Sequence, residues 1–170
     1  PNERFDDPAG ARQVSESLEG IDDVLFESPV PQDRLDWYVQ LREEIPQKIA
    51  LHLTSIQQLL PAIKADAADA YNLLGPLKSF VDWATLARQS GCPTWRGTGM
   101  DLGVRDMSSV HAAAAAGCAL PSDIIGHLLR EDDLLVKPIG FAEGALIVPD
   151  TPGLGIELDR DALARYRVED

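Results

Sequence analysis

The chain has 170 residues, 45% of them hydrophobic, and a formal net charge of -13. That length and apolar content suit one ordinary soluble domain with a buried core, and the charge argues against nucleic acid or an anionic membrane as partner, because phosphates would be repelled. No apolar run approaches the roughly 20 residues of a membrane span and no signal peptide is recognised. Cys92 and Cys118 form no metal-type cluster and are expected as free thiols in a reducing, cytoplasmic compartment.

Residues 1–5 carry no helix or strand signal, and a helix is expected at about 9–18. The apolar run Val24-Leu25-Phe26 stops at Glu27 and is followed by Ser28-Pro29-Val30-Pro31, which reads as a short strand of a parallel sheet with a carboxylate at its carboxyl end. In barrels and open α/β sheets that edge is where ligands bind; the alternative for a single Glu is a solvated strand end. A helix follows at 35–44, with acid near its start. The strand 48–53 comes next, then a helix capped by Thr54 or Ser55 and running to about Ile63.

The same unit recurs as strand 70–74, a Gly75-Pro76 turn and helix 77–89. Gly91-Cys92-Pro93 leads into strand 94–96, the glycine-rich loop 97–99 and a helix at 104–116, and residues 121–125 are a final strand candidate. Strands alternating with helices predict an α/β fold with a parallel sheet and right-handed crossovers, which the pattern alone leaves open between a barrel and an open sheet. Glu27, His52, Asn72, Arg96 and Asp123 then close strands of one direction and are expected at one end of the sheet. The tail breaks the repeat: 134–136 and 145–148 predict a hairpin, and 159–166 a short capped helix.

Several segments in this order resemble one family. The tail Gly144-Ala145-Leu146-Ile147-Val148-Pro149-Asp150-Thr151-Pro152-Gly153-Leu154-Gly155-Ile156-Glu157-Leu158-Asp159 is similar to the closing signature of the enolase superfamily, in its mandelate racemase and muconate lactonizing branch. Phe26-Glu27-Ser28-Pro29-Val30-Pro31, Gly91-Cys92-Pro93 and Gly126-His127-Leu128-Leu129 fall where that family has similar runs. The resemblance implies that residues 1–170 are the C-terminal part of a TIM-like (β/α) barrel whose tail returns to a capping region. The N-terminal capping domain and the first strands, with the lysines of an earlier strand, are then expected outside these residues, and Pro1-Asn2 resembles the end of an Asp-x-Asn motif.

The family resemblance further implies a divalent metal that stabilises the enediolate formed when a proton leaves the carbon next to a carboxylate, because two negative charges on one substrate need a hard cation beside them. Glu27 matches the second metal ligand, and His52 stands where relatives have a third, acidic one. Mg²⁺ prefers oxygen, so an imidazole ligand shifts the expectation toward Mn²⁺ or another divalent metal; alternatively His52 only packs at a strand end. Asp69 matches an Asp that in some relatives orients a catalytic His, which is missing near Gly97. Asn72 occupies the position of a catalytic Lys.

Arg96 is a candidate clamp for the substrate carboxylate, Trp95 a pocket wall or a core residue, and Asp123 a substrate contact or a cap. His111 and His127 read as structural. The expected activity is dehydration of a sugar acid or another hydroxy acid, with a small-molecule carboxylate as substrate and a homo-oligomeric protein. The alternatives are a racemase, epimerase or cycloisomerase of the same family, or a degenerate relative that binds a carboxylate without catalysis.

Overall fold

The computed structural model describes residues 2–168. Helix α1 (Pro8–Ser17) starts where the Asp7 carboxylate accepts the Ala9 N–H at 2.7 Å, with proline in its first turn. Strand β1 (Leu25–Glu27) ends at Ser28, whose φ of 41° turns the chain, and Pro29 prevents its extension. Then follow α2 (Leu35–Glu44), β2 (Lys48–Leu53), α3 (Ile56–Ala65), β3 (Ala70–Leu73), α4 (Leu77–Gln89), β4 (Thr94–Arg96) and α5 (Gly103–Ala116). Helix α3 starts at Ser55, but its entry is held by Gln58, whose side-chain oxygen accepts the Thr54 N–H at 2.9 Å and the hydroxyls of Thr54 and Ser55 at 3.2 Å.

The four strands lie in chain order, β1-β2-β3-β4, all parallel. Right-handed crossovers between consecutive neighbours put every connecting helix on the same face, and each helix from α1 to α5 packs against the next. One-sided layering is that of a barrel wall, which resolves the choice the sequence left open. Alternation along the strands does the rest. Phe26, Ile49, Leu51, Leu53, Tyr71 and Leu73 point to the helices and form the main core with Tyr38, Leu41, Leu59, Phe80 and Ala84. The other face carries Glu27, Ala50, His52, Ala70, Asn72 and Trp95, in register from strand to strand.

Two expectations are corrected. Residues 121–125 run beside β4 without forming a strand: Leu120 and Asp123 donate their N–H groups to the carbonyls of Thr94 and Arg96 at 3.4 and 3.3 Å, but the Arg96 N–H goes to the Ser122 hydroxyl at 3.0 Å. A side chain thus takes the place of a ladder carbonyl and regular pairing stops. The hairpin is shorter than expected, β5 (Phe141–Ala142) with β6 (Ala145–Leu146), because Glu143 and Gly144, both at positive φ, make a two-residue turn. Residues 134–136 pair instead with the tail, Val136 N–H to the Glu157 carbonyl at 3.0 Å and Asp159 N–H to the Leu134 carbonyl at 2.9 Å. Asp159 caps the closing helix α6 (Arg160–Arg165), as the sequence predicts. Among the described residues no helix is long and apolar enough to cross a membrane, and both cysteines are free.

Candidate active site

Parallel strands bring their carboxyl ends to one edge, and on the face away from the helices three polar side chains meet there. Asn72 donates its amide to Glu27 Oε1 at 3.0 Å, and His52 Nδ1 lies 3.4 Å from the same oxygen. The hydrogen bond from His52 holds the Glu27 carboxyl below its ordinary value against the opposing effect of burial, with Asn72 adding to the pull. The reciprocal bond raises the His52 pKa, and the negative charges of Asp123 and Glu3 add to it. Two polar atoms in this group are buried without a hydrogen-bond partner among the described residues: His52 Nε2 and Asn72 Oδ1.

Ser28 and Gly97 complete the arrangement, and the sequence reading missed both roles. The Ser28 hydroxyl accepts the His52 N–H at 3.0 Å, while its own N–H donates to the Ala50 carbonyl at 2.9 Å, so the turn after Glu27 is tied to the strand that carries His52. Beyond it, the Tyr38 hydroxyl donates to the Val30 carbonyl. A Cβ at residue 97 would lie 2.3 Å from Asn72 Oδ1. Asn72 and Gly97 are therefore sterically coupled: the amide occupies the space that any side chain at 97 would need. The resemblance drew attention to both positions in the sequence, but only the fold shows that they touch.

The floor and the opening are also defined. Trp95, 7% exposed, packs on Ala50, Ala70 and Leu120 and fills the space those alanines leave below His52 and Asn72. A cavity of about 610 Å³ opens beside His52, bordered by Glu3, Gln32, Asp33, Thr54 and Gln58. Asp123 stands at the exposed rim, where partial burial and the charge of Glu27 raise its carboxyl pKa.

Two of the sequence candidates lie elsewhere. Arg96 is on the opposite face of the sheet, its guanidinium 4.8 Å over the Phe80 ring and its Nε 3.4 Å from the Ser109 hydroxyl. Expecting it beside the others neglected the alternation of the strand: Trp95 and Arg96 cannot face the same side. Asp69 precedes β3, at the amino edge, where it accepts from Arg42 at 2.8 and 3.1 Å and from the Ile49 N–H at 2.8 Å. A larger cavity, about 990 Å³, opens at this amino edge and is lined by Lys48, Asp69 and Ala70 but by none of Glu27, His52 and Asn72.

Glu27, His52 and Asn72 thus place a carboxylate, an imidazole and an amide side by side at this edge. Among the described residues no cluster of three or more His, Cys, Asp or Glu able to hold a metal occurs. Glu27 and His52 are the residues of this group that could hold a metal, and an imidazole nitrogen beside a carboxylate suits a borderline divalent cation better than Mg²⁺.

Muconate cycloisomerase 1 of Rhodococcus opacus is 28% identical over 173 residues, 97% of this chain and 46% of the relative. D-galactarolactone cycloisomerase of Agrobacterium fabrum is 29% identical, covering 89% and 43%. A mandelate racemase/muconate lactonizing family protein from Azoarcus sp. EbN1 superimposes with a TM-score of 0.84 at 27% identity, over 93% of this chain and 47% of that one. The chain thus spans about half the length of the relatives it matches. The family model described as "Enolase C-terminal domain-like" matches residues 1–162, and the chain belongs to that family, in the mandelate racemase and muconate lactonizing branch of the enolase superfamily.

Proposed function

We propose that the full-length protein is an isomerase-type enzyme, a cycloisomerase of small carboxylates, that moves a proton at the carbon next to a carboxylate. This takes the place of the dehydration expected from the sequence, which passes through the same kind of enediolate; two of the relatives named above are cycloisomerases. The observation that carries the reading is the Asn72–Gly97 contact. On that side of the site an amide and a bare backbone stand where a proton-transferring side chain would be needed, so chemistry that uses both faces of the carbon, as racemisation does, is disfavoured and a one-face reaction is favoured.

In this reading Glu27 and His52 hold a divalent cation, which supplies positive charge where the substrate carboxylate gains its second negative charge. Asn72 fixes the Glu27 carboxylate by its 3.0 Å hydrogen bond, and its own oxygen packs against Gly97. Trp95 closes the floor against water, and Asp123 at the rim is positioned to meet a polar substrate group. Asp69, saturated by Arg42 and Ile49, and Arg96, on the far face, are assigned no contact with the reacting atoms. The base is assigned to the strands that complete the barrel.

The Glu27–His52 contact favours one second reading: a carboxylate-supported imidazole that transfers the proton itself, in place of ligating. Incubation of the full-length protein with a panel of carboxylates in D2O, followed by proton NMR, tests the chemistry directly. Exchange next to the carboxylate is expected in the wild type and not in Glu27→Gln; undiminished exchange in Glu27→Gln overturns the reading. Loss of diene absorbance from muconate supports cycloisomerisation, whereas formation of a 2-keto acid from hydroxy acids restores dehydration.

A further inference from the structure

A second polar centre lies on the helix side of the same sheet edge. Arg96 is 2% exposed, yet among the described residues it makes no ion pair, and its Nη1 is buried with no hydrogen-bond partner. Its contacts are the Phe80 ring and a long bond to the Ser109 hydroxyl. A buried guanidinium without a counter-charge is costly, because its lost hydration is not replaced. Its surroundings do not compensate: burial first and then the charge of Arg105 depress the Arg96 pKa, and Asp101, Cys118 and Asp123 offset them only in part. Asp101 is itself engaged by Arg105 at 3.3 Å.

Arg96 lines a cavity of about 510 Å³ between the carboxyl ends of β2, β3 and β4 and the first turns of α4 and α5. Arg105, Ser108 and Thr54 line it too, and Leu74, Pro76, Leu77 and Val104 give it an apolar border. The two helix starts differ. At α5 the Gly103 N–H is already taken by the Asp133 carboxylate at 2.9 Å, whereas α4 begins at Pro76 with no side-chain cap. An anion in the cavity would therefore meet the Arg96 guanidinium, the Arg105 guanidinium, whose Nε faces Asp101, and the positive end of one helix.

We propose that this cavity is a binding site for a small organic carboxylate, held by Arg96 and Arg105, separate from the Glu27 site on the other face of the sheet. Organic carboxylate fits better than a bare inorganic ion because half of the lining is apolar. Arg96 supplies a fixed planar donor, stacked on Phe80, and Arg105, whose side chain is 60% exposed, closes over the ligand from the rim.

The test uses the full-length protein labelled with ¹⁵N and follows the arginine Nε–Hε signals, that of Arg96 being identified by its absence in Arg96→Gln. Titration with succinate at constant ionic strength, with chloride as control, is expected to shift the Arg96 signal saturably. In Arg105→Gln, where an exposed side chain is changed and the core is untouched, the same titration is expected to weaken about tenfold or more, the usual scale for losing a hydrogen bond to a charged group. Glu27→Gln is expected to bind as the wild type does, which separates this site from the catalytic one. Inorganic phosphate is the second arm: binding weaker than or equal to that of succinate agrees with the proposal, and a response to phosphate alone overturns it. An Arg96 signal that does not move, moves equally with chloride, or is unaffected by Arg105→Gln also overturns it.

Discussion

The two edges of this sheet each hold a buried-side carboxylate with short partners, and they differ in what is left over. At the amino edge Asp69 receives two bonds from the Arg42 guanidinium and one from the Ile49 N–H. Its donors are charged or fixed in the backbone, and both of its oxygens are engaged. At the carboxyl edge Glu27 receives one amide bond and faces an imidazole, while His52 Nε2 and Asn72 Oδ1 stay unpartnered. Buried polar atoms are normally satisfied, and this difference is the ground for proposing the chemistry at the carboxyl edge and a structural role at the amino edge. Conspicuous charge alone does not separate the two.

The largest expected effect breaks the comparison most directly. Glu27→Gln should lower turnover by about 100-fold or more, the scale of losing one preorganised electrostatic contact, with little change in thermal midpoint. Asp69→Asn should do the reverse, retaining turnover while losing about 1.5–3 kcal/mol of stability, the range for a hydrogen bond to a charged group. Steady-state kinetics and thermal melts of both proteins measure this, and equal kinetic losses in the two would remove the distinction.

A smaller effect is expected from Gly97→Ala, since its Cβ would meet Asn72 Oδ1 at 2.3 Å and push the amide off Glu27. Activity should fall about 10–100-fold, as for loss of a group that orients a ligand. Adding Asn72→Ser to make room should restore the fold's stability but not the activity, and a double variant no more stable than Gly97→Ala would mean the contact is not the cause.

His52→Asp should move metal preference by about tenfold toward Mg²⁺ and away from Mn²⁺, an order-of-magnitude expectation from ligand hardness. Calorimetry of both proteins with both metals measures it. Unchanged affinities would favour His52 as the proton-transfer group.

The smallest effect is away from both edges. Asp106 is fully buried on α5, accepting the His127 N–H at 3.0 Å, while its other oxygen has no partner; burial raises its carboxyl pKa. A carboxyl raised in the folded state favours folding while protonated. Its contribution is complete below the unfolded pKa and is lost as pH rises through the higher folded value. Asp106→Asn should therefore raise the thermal midpoint by a few degrees at pH 7 and leave it nearly unchanged at pH 3. A variant with the wild-type pH profile would show that Asp106 does not titrate with folding.

Local pattern was enough for the four strands and most helix limits, because hydrophobic runs, prolines and caps act over a few residues. The family was equally legible, through the Phe26-Glu27-Ser28-Pro29 run and the tail. Glu27, His52 and Asn72 could be placed at one edge from the strand order that the repeat implies. What the sequence left open depended on contacts between distant segments. The facing of Arg96 followed from the pleat of a strand only three residues long, and the fate of 121–125 from one serine hydroxyl competing with a backbone carbonyl. The closeness of Gly97 to Asn72, the saturation of Asp69 by Arg42, and the uncompensated burial of Arg96 exist only once the strands are in register. Pairing across the sheet is a tertiary event, and it decides which polar atoms find partners and which are left for a ligand.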